Sequence, residues 1–178
     1  MQPSQSRSQA SLHKGSTPQS KLLQIERKFN VPVDQLFNAF TTSESLKKWW
    51  WPQGLYADKV EVDFHEGGRY FINMKGNPDL GGGGMTGQFE EIETNKRIVM
   101  TDNFANEQGQ KISSKEANMP GEWPKQGFIT FEFESLDHNT SRFMLYQEGI
   151  PNELQDDCIK GWTESFDKLE KFLEILKH

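Results

Sequence analysis

The run DDCIKGWTESFDKLEKFLEILK near the C-terminus places Cys158, Trp162, Phe166, Leu169, Phe172, Leu173 and Leu176 at successive steps of three and four. That spacing belongs to one face of an α-helix. The expected helix has about six turns and, at 1.5 Å per residue, is roughly 33 Å long. Asp156 and Asp157 stand at its start and Lys177 at its end, the arrangement that the helix dipole favours. An apolar stripe of this length needs an apolar surface to match. Burying roughly five of these large side chains, at about 2 kcal/mol each, contributes on the order of 10 kcal/mol before conformational entropy is charged against it.

The rest of the chain offers such a surface as a sheet. LLQIERKF alternates Leu23, Ile25 and Arg27 with Gln24, Glu26 and Lys28, a strand pattern. Two short helices follow. Pro32 suits the first turn of one, which carries Leu36, Phe37 and Phe40 and runs to about Thr42; Ser43 is the expected cap of the other, which runs from Glu44 to about Trp50 before Pro52 stops it. KVEVDF and RYFINMK alternate on either side of EGG and form a hairpin. MTGQFEEIE and KRIVMTDNF pair through Thr94-Asn95, and FITFEFESL and TSRFMLYQEG pair through DHN. Residues 105–126 have no sustained period and read as a long excursion, anchored by Met119 and Trp123. The order predicts an α+β domain over 21–178, with a curved antiparallel sheet of six to seven strands wrapped around the long C-terminal helix.

Composition narrows the class. Residues 1–20 hold six serines and almost nothing apolar, so they are expected to be a disordered tail. The tail has basic residues and no acid, like a transit peptide, but it lacks the apolar face of one. The net charge of −6 argues against nucleic acid or an anionic membrane surface as partner. A single cysteine, Cys158, precludes a disulfide framework. No apolar run reaches the length of a membrane span, and the cytoplasm is the expected location.

The stretch SLKKWWWPQG sets three tryptophans in a row. Neighbours point about 100° apart on a helix and to opposite faces on a strand, so the three cannot share one side. Trp49 continues the Leu46 face and belongs in the core. One of Trp50 and Trp51 is expected to reach toward Trp162, with the other part-exposed beside Lys47 or Lys48.

Four stretches in order carry a resemblance: ERKFNVPVDQLFNAFTTSESLKKWWWPQG, VDFHEGGRYFINM, SRFMLYQEGIP and GWTESFDKLEKFLEIL. Together they resemble the START-like, polyketide-cyclase (SRPBCC, helix-grip) superfamily, in the branch related to the C-terminal domain of the activator of the 90-kDa heat-shock protein ATPase. The resemblance spans about residues 21–177. It implies a cavity between sheet and long helix that takes a hydrophobic or lipid-like small molecule, with no cofactor and no assigned catalysis. Strand alternation and the helix face then nominate the wall of that cavity: Trp50, Trp51, Tyr70, Met74 and Phe89 from the first half of the chain, and Phe131, Phe143, Gln147, Trp162 and Phe166 from the second. Tyr70 and Gln147 could hydrogen-bond a ligand or simply satisfy one another or water. Asp102 and Glu148 are further polar candidates.

Other motifs carry less. Gly81 to Gly84 are followed by a strand pattern rather than by a helix, which suits a loop and not a phosphate cradle. The four histidines lack metal-ligand spacing, so no metal is expected. Cys158 sits on an apolar helix face, where cysteine is usually a small hydrophobe. NTS at 139–141 suits a hairpin turn rather than a glycosylation site. Three functions therefore follow in order: a small-molecule binding module, a co-chaperone-type interaction module using the tryptophan corner, and a cyclase or dehydratase working through Tyr70, Asp102 and Gln147.

Overall fold

A computed structural model describes residues 22–76 and 82–177. The expected tail and, of the Gly81 to Gly84 run, Gly81 lie outside those residues. The element order is β1 (Leu23–Phe29), α1 (Val33–Asn38), α2 (Ser43–Trp49), β2 (Leu55–Val62), β3 (Arg69–Gly76), β4 (Gly83–Glu93), β5 (Arg97–Ala105), β6 (Lys111–Ile112), β7 (Gly127–Asp137), β8 (Thr140–Glu148) and α3 (Gln155–Leu176). A short 3-10 turn, Asn152–Leu154, leads into α3. No described helix is long and apolar enough to cross a membrane.

The strands form one antiparallel sheet in the order β1-β8-β7-β5-β4-β3-β2, with β6 added on β5. The sheet curls as a half-barrel about α3. Register shifts within β2–β3, β4–β5 and β7–β8 sharpen the bend, as bulges do. The seven-strand path matches the alternation read from sequence. The additional strand, β6, has two residues, too few to display a period.

Local corrections have local causes. The first helix ends at Asn38 rather than near Thr42, because the next N–H groups bond three residues back: Ala39 to Leu36, Phe40 to Phe37 and Thr41 to Asn38. Thr42, not Ser43, caps α2: its backbone is extended and its hydroxyl accepts the Ser45 N–H at 3.1 Å. On α3 the inward stripe holds as far as Leu173, but Leu176 is 60% exposed. The last turn outruns the surface that covers the rest.

The core is aromatic. Phe40 lies 4.8 Å from Trp49, 4.9 Å from Phe131, 5.1 Å from Phe133 and 5.4 Å from Phe143, measured between ring centroids. Phe166 brings α3 onto this cluster at 5.1 Å from Phe143. Most of these pairs are tilted or edge-on, the geometry that ring quadrupoles prefer. At the sheet edge Arg27 of β1 ties down α3 through Asp167 at 2.8 Å and Glu170 at 2.6 Å.

Candidate functional site

The tryptophan corner shows how three consecutive rings diverge. Trp49 is the last residue of α2, fully buried, with its indole N–H donating to the Ala39 carbonyl at 3.0 Å. Trp50 leaves the helix with φ −80° and ψ 66°, and the Trp51 N–H donates to the Trp49 carbonyl at 2.8 Å. That is an inverse γ-turn. It turns Trp50 inward, edge-on to Trp162 at 5.2 Å, and leaves Trp51 half-buried. Trp51 is held by its N–H to the Lys47 carbonyl at 3.1 Å and by the Lys168 ammonium, 4.4 Å from its ring centre.

Trp50 and Trp51 open onto a cavity of about 1000 Å³. One wall is the first half of α3, with Cys158, Gly161 and Trp162; the sheet contributes Met74, Asp102, Ile129 and Gln147. The excursion between β5 and β7 closes the far side with Ile112, Met119 and Trp123. Trp123 is seated edge-on against Phe104 at 5.0 Å, and its N–H donates to the Pro120 carbonyl at 2.8 Å. Gly161 stands in the interior of a 22-residue helix, where glycine costs about 1 kcal/mol relative to alanine. A Cβ built there meets only the Pro52 side chain, at 3.8 Å. The missing side chain leaves space in the cavity wall.

Polar groups on the wall form a chain. Trp162 Nε1 donates to Gln147 Oε1 at 2.7 Å, and Gln147 Nε2 donates to Asp102 Oδ2 at 3.1 Å. The indole can only donate, and an ionised carboxylate can only accept, so the amide orientation of Gln147 is fixed at both ends. Burial pushes the Asp102 carboxyl up to about 6, although the Gln147 hydrogen bond pulls the other way. Glu148, next on β8, is buried. Cys158 is held as a thiol, raised to about 11 by burial first and then by Asp102 and Asp157. A cysteine in that state is a poor nucleophile at neutral pH. No cluster of three or more metal-ligating side chains occurs among the described residues.

Of the residues nominated from sequence, the structure brings Trp50, Trp51, Met74, Gln147 and Trp162 onto the cavity. The others lie elsewhere. Tyr70 and Phe89 pack with Phe131 around a void of about 10 Å³, and Phe143 and Phe166 are fully buried. Tyr70 and Gln147 do not satisfy one another: the Tyr70 hydroxyl donates to the Thr101 carbonyl at 2.7 Å. Gly161 and Cys158 were not nominated. The absence of a side chain at Gly161 is a legible signal, since nothing else about the helix asks for glycine there. Of the glycine run expected as a loop, Gly83 and Gly84 instead begin β4, paired with Met74 and Asn73 of β3.

Solved structures share the fold. A Chromobacterium violaceum protein superposes with a TM-score of 0.70 at 25% identity, covering 89% of this chain and 99% of that one. The AHSA1 protein of Silicibacter pomeroyi does so with a TM-score of 0.68 at 23% identity, over 89% and 100% of the two chains. A Mycobacterium smegmatis protein has a TM-score of 0.71 at 18% identity, over 87% and 92%. No curated protein matches the chain significantly. The sequence itself matches the family described as activator of Hsp90 ATPase homolog 1-like protein across residues 30–174. With the helix-grip architecture and a match over most of its length, the chain belongs to the activator of Hsp90 ATPase homolog 1-like family.

Proposed function

We propose that the protein binds a small apolar or aromatic molecule in the cavity beside α3. Membership of the family supports a ligand-binding type of domain, and the cavity of about 1000 Å³ carries the reading. It lies at the upper end of the range for small-molecule sites, and its lining sets the rings of Trp50, Trp51, Trp123 and Trp162 beside polar and charged side chains, among them Asp102 and Gln147. The tryptophan corner gives less to a protein partner, because Trp49 and Trp50 are buried. The set put forward for a cyclase, Tyr70, Asp102 and Gln147, is not assembled on this wall, because Tyr70 lies off the cavity with its hydroxyl donating to the Thr101 carbonyl.

The test is binding of a neutral probe, phenylbutanol, followed by calorimetry, together with native mass spectrometry of the purified protein. The probe is expected to bind with one-to-one stoichiometry to the wild type. Gly161→Phe fills the cavity wall while removing a helix glycine, so it should fold at least as stably and bind the probe at least about tenfold more weakly. Full binding by a folded Gly161→Phe variant would overturn the assignment of the site.

A further inference from the structure

We propose that the cavity selects a ligand with an apolar body and one basic nitrogen, whose ammonium group is held by Asp102. The inference rests on the binding reading above and narrows its ligand class.

Asp102 occupies the inner face of β5, on the cavity wall. Its hydrogen-bond partner is a neutral amide, Gln147 Nε2. Among the described residues no lysine, arginine or histidine nitrogen lies within ion-pair distance of it. A part-buried carboxylate is ordinarily matched by a cation. Gln147 supplies one hydrogen bond, to Oδ2, and its carbonyl is occupied by Trp162. The carboxylate keeps acceptor capacity, and none of the ion pairs among the described residues includes it.

The rest of the wall favours the same sign. Four acids line the cavity, Asp102, Glu116, Glu148 and Asp157, against two lysines, Lys111 and Lys125. An anionic ligand would enter a field of net negative charge. A cation would be drawn by that field and could lie against aromatic faces. The rings are suitably disposed. Trp162 uses its N–H on Gln147, and Trp123 uses its own on Pro120. Neither indole has a donor left for a carboxylate or phosphate, so both present only their π surfaces to a ligand. Trp162 is separated from Asp102 by a single hydrogen-bonded residue, so a nitrogen at the carboxylate has aromatic surface close by.

Calorimetry with three near-isosteric probes, phenylbutylamine, phenylbutanol and phenylbutyrate, separates the possibilities near neutral pH. On the wild type the amine should bind at least about tenfold more tightly than the alcohol, and the acid more weakly than either. Asp102→Asn keeps the shape and the acceptor for Gln147 but removes the charge. It should bring the amine down to the level of the alcohol and leave the alcohol within about twofold. Equal binding of amine and alcohol to the wild type, tighter binding of the acid, or an amine advantage that survives Asp102→Asn would each overturn the inference while leaving the cavity as a binding site. Failure of all three probes to bind would remove both readings together.

Discussion

Replacing Asp102 by asparagine tests whether the cavity wall carries an electrostatic cost in the folded protein. The carboxyl is raised from 3.8 to about 6, chiefly by burial. The folded state therefore holds a proton that the unfolded state has released through the interval between those values. The sign follows from linkage: the folded protein loses stability as pH rises through this window, the cost being absent below about 4 and complete above about 6. At 1.36 kcal/mol per decade the full penalty is roughly 3 kcal/mol. Asp102 is part-accessible through the cavity, so solvent screening should reduce this to about 1–2 kcal/mol. Asparagine retains an oxygen for Gln147 Nε2 and has no charge to desolvate. The variant should therefore be more stable than the wild type by about 1–2 kcal/mol near pH 8 and equal to it near pH 4. Urea denaturation at the two pH values measures the difference. With a slope of about 1–3 kcal/mol per molar, the midpoint should rise by roughly half to one molar at the higher pH. A difference between the two proteins that does not change with pH would refute the reasoning, as would a less stable variant near pH 8.

The β2–β3 hairpin gives a second test, of geometry rather than charge. A Cβ on Gly68 would stand 2.0 Å from the Asp63 carbonyl oxygen and 2.9 Å from that of His65, whereas Gly67 has φ +86° and open space. Gly68→Ala should cost about 2–4 kcal/mol, because backbone must move, and Gly67→Ala about 1–2 kcal/mol for the left-handed conformation alone; a reversed order in urea denaturation would contradict the hairpin geometry. Cys158 reports on the cavity independently. A thiol raised to about 11 should react with iodoacetamide near neutral pH at least about tenfold more slowly than glutathione, since its thiolate is scarce, and a rate matching the free thiol would refute the burial assigned to it.

What the sequence disclosed depended on period. The α3 stripe and the strand alternations repeat often enough to be counted, and sheet, helix and their mutual packing follow from that count. Met74, Gln147 and Trp162 could be placed on the inner wall because each sits in register with apolar neighbours whose facing is unambiguous. Period gives a face, however, and not a depth. Phe131, Phe143 and Phe166 share the inward side with cavity residues, yet the structure spends them on the Phe40 cluster. The wall formed by Ile112, Met119 and Trp123 comes from a segment whose packing is nearly all irregular, held by contacts such as Trp123 on Phe104 that no local spacing announces. The same segment supplies one wall of the cavity. A curved sheet and a helix that met along their whole length would be filled by phenylalanine, as they are around Phe40. At the other end lies the cavity, with Gly161 of α3 on one side and residues of the excursion on the other. The triple tryptophan lies at the boundary between these regimes. The γ-turn at Trp50 lets one residue close the core, the next pack edge-on against Trp162 at the cavity wall, and the third brace against Lys168. Three identical side chains thereby occupy three environments, and the turn between them, rather than their chemistry, decides which is which.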